Sequence, residues 1–243
     1  MLEKPRVLTR CTAAFIAAWL TLLPLAGMAQ DAQIKTATPR TTDLDLTIKY
    51  FNRELTPEGV LHENSYEEKM LRRNGHVWTE RVLPRQMAAA DTTHPNHEHK
   101  DFNYIVLPRH VKLDGARAVV EFINTHDRQV ISISPTEYEN INFDGSWLNT
   151  YYLINPQMVT AMPLSARSSA VAHARWHEAE KNGVFQRVLW DDKSNIPLVI
   201  ETGDLAGTFL QRIRVQVLPT LSQNLPWLHQ QGYAQKEYSD FLD

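Results

Sequence analysis

The stretch SYEEKMLRRNGHVWTERVL, residues Ser65–Leu83, holds an Asn74-Gly75 pair between two β-patterned runs of residues. An Asn-Gly pair is the strongest short-range signal for a two-residue hairpin turn, because a type I′ turn needs positive φ at both central residues. A two-residue turn also sets the register of its strands, and here it places Leu71 opposite Trp78. The stretch therefore predicts an antiparallel hairpin around which the rest of a sheet can assemble.

Strand-like patterns continue on both sides of this hairpin. Leu44, Leu46, Ile48 and Tyr50 alternate with polar residues, which is the period-two pattern of a half-buried strand. After the hairpin, residues 104–115 form a β-like, partly irregular segment. Further strands are predicted at residues 118–123, 130–134, 185–190, 197–201 and 208–218. Many short strands joined by turns indicate a mostly β chain.

Short helices are predicted in a helical insert at residues 135–163. The run Ser134–Glu137 combines an N-cap serine, a first-turn proline and a capping-box acid, which predicts a helix to about residue 141. The pair Asn155-Pro156 predicts a second short helix through residue 162. The amphipathic tail, residues 225–243, predicts a further short helix.

Residues 165–181 carry conflicting signals. Their alanines, arginines and glutamates favour a helix, whereas the Asn182-Gly183 pair predicts a hairpin whose first arm is a strand. We favour a strand over residues 172–180. His173 and His177 would have metal-ligand spacing on a helix, but in a strand they lie roughly 13 Å apart and do not share an ion.

Residues 1–29 have the pattern of a secretory signal peptide, with a basic start, an apolar run and small residues before position 30. We expect cleavage near Ala29, then a flexible lead-in over residues 30–42 and a single β-rich domain over residues 43–243. A retained membrane anchor is the alternative, but the apolar run is shorter than the ~20 residues that a span needs. The only cysteine, Cys11, precedes the apolar run, so the predicted mature protein has no thiol and no disulfide.

The charge of the chain argues against nucleic-acid binding. The formal net charge at pH 7 is −3. The predicted signal has three basic residues and one acidic residue, so its removal leaves −5 on the mature protein. Affinity for phosphates needs clustered cations, which a mildly acidic protein does not favour. No second long apolar run follows the signal, so we expect a periplasmic protein with no membrane span after signal removal.

The loop at residues 84–101, the His-rich loop, holds the side chains that most resemble metal ligands. His94, His97 and His99 supply imidazoles at short spacing, and copper and zinc favour nitrogen ligands of this kind. A solvated polar loop, or a loop sensitive to pH or to a partner, is the alternative. Further imidazoles that are candidates for the same shell are His110 and His126.

Aromatic side chains are candidates to line a cavity for an apolar ligand, with ordinary core packing as the alternative. For catalysis, the sequence has no nucleophile elbow, no Ser-x-x-Lys, no zinc-protease motif and no glycine-rich phosphate loop. We therefore predict no catalytic residues and no enzyme. The candidate ligand-binding residues are Trp78, Phe143, Trp147, Tyr151, Tyr152 and Trp176.

A distinctive order of turns and strands closes the chain, with RVLWDD at 187–192, IPLVIE at 196–201, then Gly203-Asp204 and Gly207-Thr208 before a final β run. This order resembles the closing strands of periplasmic LolA-like and RseB-like proteins. The opening meander, residues 44–83, is similar to the start of that fold. The resemblance implies an unclosed half-barrel with helices over one face and an apolar cavity for a lipid-like or peptide ligand. The sequence departs from the LolA pattern in having no clear long N-terminal helix.

These patterns together predict an α+β, mostly β fold, in which a strongly curved antiparallel sheet forms an open, LolA-like half-barrel with short helices on one face. The predicted function is that of a soluble periplasmic, non-catalytic binding or accessory protein. It would hold an apolar, lipid-like ligand or a segment of an envelope protein in the half-barrel cavity. The alternative is a periplasmic metal-handling protein that binds copper or zinc with His94, His97 and His99.

Overall fold

The computed structural model describes residues 42–84 and 102–241 of the chain. The strands are β1 Leu44–Leu55, β2 Leu61–Arg73, β3 His76–Arg81, β4 Arg109–Asp114, β5 Arg117–Asn124, β6 Gln129–Ile133, β7 Ala174–Lys181, β8 Val184–Asp191, β9 Ile196–Asp204, β10 Phe209–Val217 and β11 Ala234–Glu237. They form one sheet in the order β11-β6-β5-β4-β3-β2-β1-β10-β9-β8-β7. This curved, unclosed sheet, with β7 and β11 at its edges, confirms the predicted mostly β, half-barrel fold class.

The hairpin between β2 and β3 has the predicted register, with Leu71 opposite Trp78. Its turn type differs from the prediction. In the turn Asn74-Gly75 only the glycine has positive φ, at 73°, which fits a type II turn. In the second hairpin, Asn182-Gly183, both residues have positive φ, at 55° and 77°, as type I′ requires. The register survives the change of turn type because both turns have two residues.

The two faces of the sheet differ in what covers them. On β1, Leu44, Leu46 and Ile48 are buried in one cluster with side chains of the helical insert. We call this face the helix-covered face and the opposite one the outer face. Because side chains alternate along each strand, the register extends the helix-covered face across the sheet. Other members of its core are Met70, Val77, Val111, Val120, Phe122, Ile131, Tyr151, Val159, Val188, Ile196 and Ile200.

The helical insert contains a 3₁₀ helix, Pro135–Ile141, and two α-helices, α1 Trp147–Tyr152 and α2 Pro156–Ala161. The first and last of these were predicted from the sequence, and α1 was not. Helix α1 begins where the Ser146 hydroxyl accepts a hydrogen bond from the backbone N–H of Asn149 at 3.1 Å. Helices this short are not stable alone, so α1 depends on the packing of its buried tyrosines.

Arg72 of β2 fastens α1 to the sheet. Its guanidinium donates hydrogen bonds to the backbone carbonyls of Thr42, Tyr151 and Ser194 at 3.1, 3.2 and 3.2 Å. It also lies 4.7 Å from the ring centre of Tyr151. Arg72 is fully buried, and this burial lowers its pKa. Hydrogen bonds to the three carbonyls replace those that an exposed guanidinium makes with water.

Strand β7 confirms the strand predicted over residues 172–180. It pairs with β8 along its whole length, and this pairing outweighs the helical propensity of its alanines and glutamates. The free edge of β7 is partly covered by the preceding segment. The N–H of Ser165 donates to the carbonyl of Trp176 at 2.8 Å, and the N–H of Glu178 donates to the carbonyl of Pro163 at 2.9 Å.

The C-terminal tail corrects the prediction of a helix over residues 225–243. It forms a short 3₁₀ helix, Pro226–His229, then strand β11, and then a second short 3₁₀ helix, Tyr238–Phe241. Strand β11 pairs with β6 in parallel, so the sheet is antiparallel except for this edge pair. The physical reason is that the edge of β6 exposes backbone groups that need hydrogen-bond partners, and the tail supplies them.

Candidate functional site

A cavity of about 340 Å³ opens on the helix-covered face, beside the core. We call it the tyrosine–arginine pocket. Residues of β1 to β5 form its floor, and a turn at residues 103–107 together with the end of the first 3₁₀ helix forms its rim. Its most important side chains are Tyr50, Tyr66, Glu68, Arg81, Tyr104 and Arg109.

The strand register brings the floor of the pocket together. Tyr50 lies opposite Tyr66, and Glu68 lies opposite Arg81. Arg109 of β4 lies between Thr79 of β3 and Phe122 of β5 in the register. Directly paired residues of antiparallel strands have side chains on the same face. Five consecutive strands therefore contribute to one site.

Two of the aromatic residues that line the pocket, Tyr50 and Tyr66, stack on each other. The rings of Tyr50 and Tyr66 are stacked, with centroids 4.5 Å apart and an interplanar angle of 15°. The guanidinium of Arg81 lies over the ring of Tyr66 at 4.0 Å from its centre. A cation in this position is attracted by the negative face of the ring, so Tyr66 orients Arg81 without neutralising its charge.

The electrostatics of the pocket are unbalanced towards positive charge. The Tyr50 hydroxyl donates a hydrogen bond to Glu68 Oε2 at 3.1 Å. Burial, and then the charge of Glu68, raise the pKa of Tyr50 well above its usual value, so this tyrosine stays a neutral donor. Within residues 42–84 and 102–241, Arg81 and Arg109 form no ion pair, and the buried Nε of Arg109 has no hydrogen-bond partner. Two guanidiniums therefore share the pocket with one carboxylate.

The rim is formed by the start of the segment for which the sequence predicts a β-like, partly irregular structure. The N–H groups of Val106 and Leu107 both donate to the carbonyl of Asn103, which makes a turn before β4 begins. The turn presents Tyr104 and the half-exposed Ile105 to the pocket. The hydroxyl of Tyr104 accepts a hydrogen bond from Asn142 Nδ2 at 3.0 Å, which ties the rim to the helical insert.

Four of the predicted ligand-binding aromatics lie together in the core and do not line the tyrosine–arginine pocket. Tyr151 and Tyr152 are 1% and 3% exposed, and Phe143 is 8% exposed. The ring of Trp147, partly buried, lies 5.1 Å from that of Tyr151. Their side chains fill the space between the insert and the sheet, and their role in ligand binding stays a prediction.

The other two predicted aromatics, Trp78 and Trp176, lie on the outer face. Trp78 belongs to a small cluster with Ile123 and Val130, against which Trp227 of the tail packs. Trp176 lies on β7 beneath the guanidinium of Arg167, at 4.6 Å from its ring centre. These two tryptophans therefore lie on the face of the sheet opposite to the four aromatic residues of the insert.

The predicted metal ligands His94, His97 and His99 lie outside the residues that the structure describes. The further candidate His110 is buried on the outer face, where its Nε2 lies 3.0 Å from Nδ1 of His76. Among the described residues, no group of three or more His, Cys, Asp or Glu is arranged to hold a metal ion. The copper or zinc site remains a prediction for the His-rich loop.

A second cavity, of about 360 Å³, lies at the start of β7 and is lined by His173, Arg175, Asp192 and Lys193. It is a wide and shallow surface depression. Arg175 and Asp192 form an ion pair in this depression, with Arg175 Nη2 at 2.8 Å from Asp192 Oδ2. We therefore place the candidate functional site in the tyrosine–arginine pocket.

No family model matches the chain, and no curated protein matches it. Several solved structures are similar to it. PNGF-II has 9% sequence identity over 82% of this chain and 33% of that chain, with a TM-score of 0.36. The chain therefore spans about a third of the length of PNGF-II.

A LolA superfamily protein from Nitrosomonas europaea has 9% identity over 75% of this chain and 89% of that chain, with a TM-score of 0.32. MucB, solved in complex with MucA, has 13% identity over 74% of this chain and 52% of that chain, with a TM-score of 0.30. The solved structures that are similar to this chain thus include a member of the LolA superfamily, the group named from the sequence. In the described part of the chain, none of the helices has the length and apolar character needed to cross a membrane.

Proposed function

We propose that this protein is an exported, non-catalytic binding or accessory protein of the periplasm, and that the tyrosine–arginine pocket holds a group of its ligand. The observation that carries the proposal is the pocket itself. It is an open cavity of about 340 Å³ with aromatic rings and with two guanidiniums that form no ion pair to a described residue, and it lies beside the packed core. Cavities of roughly 300–1,000 Å³ with a few convergent polar groups are typical ligand sites. The predicted signal peptide supports the periplasmic location.

The chemistry of the pocket favours binding over reaction. Arginine stays protonated in proteins, so Arg81 and Arg109 act as permanent donors and not as proton acceptors. Burial raises the pKa of both Tyr50 and Tyr66, which keeps their hydroxyls neutral near pH 7. Groups of this kind orient and retain a ligand, and they do not activate a nucleophile.

The packed side chains beneath the helical insert limit which part of a ligand can enter the fold. Leu46, Ile48 and Val188 are fully buried beneath the insert, so this part of the helix-covered face is packed. A ligand therefore enters the pocket from its side and lies along the uncovered part of the sheet. Both predicted occupants, a lipid-like ligand and a protein segment, can present one group in this way.

A fluorescent reporter in the pocket tests the proposal. An Ile105→Cys variant of the mature protein, from residue 30 onward, carries an environment-sensitive dye at the rim, and a Leu228→Cys variant carries the same dye far from the pocket. Titration with palmitate and with short extended peptides should give a saturable signal from the rim dye only. Silence of the rim dye towards both classes of ligand, or an equal response from position 228, would overturn the proposal.

A further inference from the structure

We infer that the group bound in the tyrosine–arginine pocket is a carboxylate carried by an extended protein segment, with Arg81 and Arg109 as its partners. This inference rests on the proposed function and names its ligand class. The first argument is charge. Glu68 already accepts the Tyr50 hydroxyl, and neither guanidinium forms an ion pair with a described residue. A carboxylate in the pocket satisfies donors of both arginines and balances their excess charge.

The second argument is a row of amide and hydroxyl side chains beside the pocket. The register aligns these side chains across five strands, β2, β1, β10, β9 and β8, on the helix-covered face. We call them the amide row, and none of them makes a side-chain hydrogen bond to a described residue. The row consists of Asn64, Asn52, Gln211, Thr202 and Gln186.

The amide row adjoins the pocket directly. Asn64 and Asn52 lie two positions along their strands from Tyr66 and Tyr50, and residues two apart share a face. Five strands at about 4.8 Å spacing span roughly 19 Å, which is the length of about six residues of extended chain. Carboxamides both donate and accept, so they match the alternating N–H and C=O groups of a peptide backbone.

The packing distinguishes a protein segment from an acyl chain. An acyl chain needs apolar surface, and the apolar positions of the helix-covered face, such as Ile48, Val188 and Ile196, are already buried by the insert. The surface left open next to the pocket is polar, since Asn52, Asn64 and Gln211 are exposed. Unpaired amides stabilise a polar backbone and not a hydrocarbon chain.

Three synthetic peptides test this inference on the purified protein. They are end-blocked, about eight residues long, of alternating threonine and valine, and differ only in a central glutamate, glutamine or lysine. We expect the glutamate peptide to bind about tenfold tighter than the glutamine peptide. Hydrogen bonds to a charged acceptor are stronger than those to a neutral one, and the difference in energy corresponds to about this ratio of affinities. The lysine peptide should bind more weakly than the glutamine peptide.

Two pairs of variants locate the effect. An Arg81→Gln, Arg109→Gln double variant should bind the glutamate peptide no better than the glutamine peptide, whereas Arg117→Gln, at an exposed arginine, should behave as wild type. Gln211→Ala should weaken all three peptides about threefold, and Gln216→Ala, on the same strand but facing outward, should not. Circular dichroism of each variant establishes that it is folded.

The outcomes separate this inference from the proposed function. Equal affinity for the glutamate and glutamine peptides, or a tenfold preference that persists in the double variant, overturns the carboxylate assignment. A saturable response of the rim dye to palmitate, without a response to any peptide, overturns the protein segment while the proposed function stands. Silence towards every ligand overturns both.

Discussion

Nδ1 of His76 and Nε2 of His110 lie 3.0 Å apart on the outer face, and the ring of Trp227 is stacked against both histidines. A single proton between these nitrogens makes a hydrogen bond, whereas protonation of both rings places two N–H groups against each other. On its other side, His110 Nδ1 lies 3.5 Å from a carboxylate oxygen of Glu121, which also contacts Lys112. This cluster joins the C-terminal tail to β3 and β4.

The cluster predicts a loss of stability in mild acid. Burial, and then the nearby charges of His110 and Lys112, lower the pKa of His76. Because the folded-state pKa lies below the unfolded one, the stability is full above about pH 6.5 and is lost as the pH falls through the folded-state pKa. Urea denaturation at pH 7.5 and 5.5 should show a smaller decrease in unfolding free energy for His76→Gln than for wild type. The exposed control His126→Gln should match wild type, and equal decreases in all three proteins would contradict the prediction.

Replacement of Arg72 should strongly reduce the free energy of unfolding, although its buried guanidinium does not line the tyrosine–arginine pocket. Arg72→Met removes three hydrogen bonds to backbone carbonyls and leaves the buried carbonyl of Tyr151 without this partner. We expect the free energy of unfolding to fall by roughly 3 kcal/mol in urea denaturation. Arg175→Met, at an exposed ion pair, should change it by less than about 1 kcal/mol. A similar loss for the two variants would contradict the anchoring role of Arg72.

Asp45 of β1 holds the C-terminal tail against the sheet. Its carboxylate accepts hydrogen bonds from Arg73 Nη1 and from the backbone N–H of Ser222, both at 2.7 Å. Asp45→Asn weakens both contacts, so amide hydrogen exchange in residues 218–241 should accelerate about tenfold while exchange in β8 and β9 is unchanged. The exposed control is Asp127→Asn. An acceleration spread evenly over the sheet would indicate global destabilisation and not release of the tail.

The His-rich loop gives a prediction that separates the two candidate functions. A metal-handling protein would lose its affinity for Cu²⁺ or Zn²⁺ when His94, His97 and His99 are all replaced by Ala, as calorimetry measures directly. If the tyrosine–arginine pocket is the functional site, the same triple variant should bind the glutamate peptide within about twofold of wild type, because the two sites use different residues. Loss of peptide binding in the triple variant would contradict the separation of the two sites.

The sheet was largely predictable from sequence because its signals are local. The two-residue turn at Asn74-Gly75 determines a register that the structure retains, although the turn type is different. The strand at residues 174–181 was predictable for the same reason, from the Asn-Gly pair that follows it. The parallel strand β11 was not, since an amphipathic tail does not reveal that a sheet edge more than a hundred residues away needs a partner.

The candidate site was less predictable than the fold. Tyr50 and Tyr66 were assigned only to strands, and Arg81 and Arg109 had no motif that marked them. A pairing argument from the first hairpin places Glu68 opposite Arg81, and this was the one local signal available. The positions of Arg109 and Phe122 depend on β4 and β5, and the register of β4 against β3 across the His-rich loop is not determined by any turn. The aromatic cluster of the insert was a stronger pattern in sequence, but its rings are buried in the core.

The measurement that tests the central claim most directly is a double-mutant cycle between the pocket and the peptide. The affinities of wild type and Arg109→Gln for the glutamate and glutamine peptides form its four corners. We predict a coupling of about threefold, because Arg81 retains part of the glutamate preference, and this coupling shows that the carboxylate and the Arg109 guanidinium interact. A coupling factor of one, with the glutamate preference unchanged in Arg109→Gln, would contradict the assignment of the tyrosine–arginine pocket as a carboxylate site.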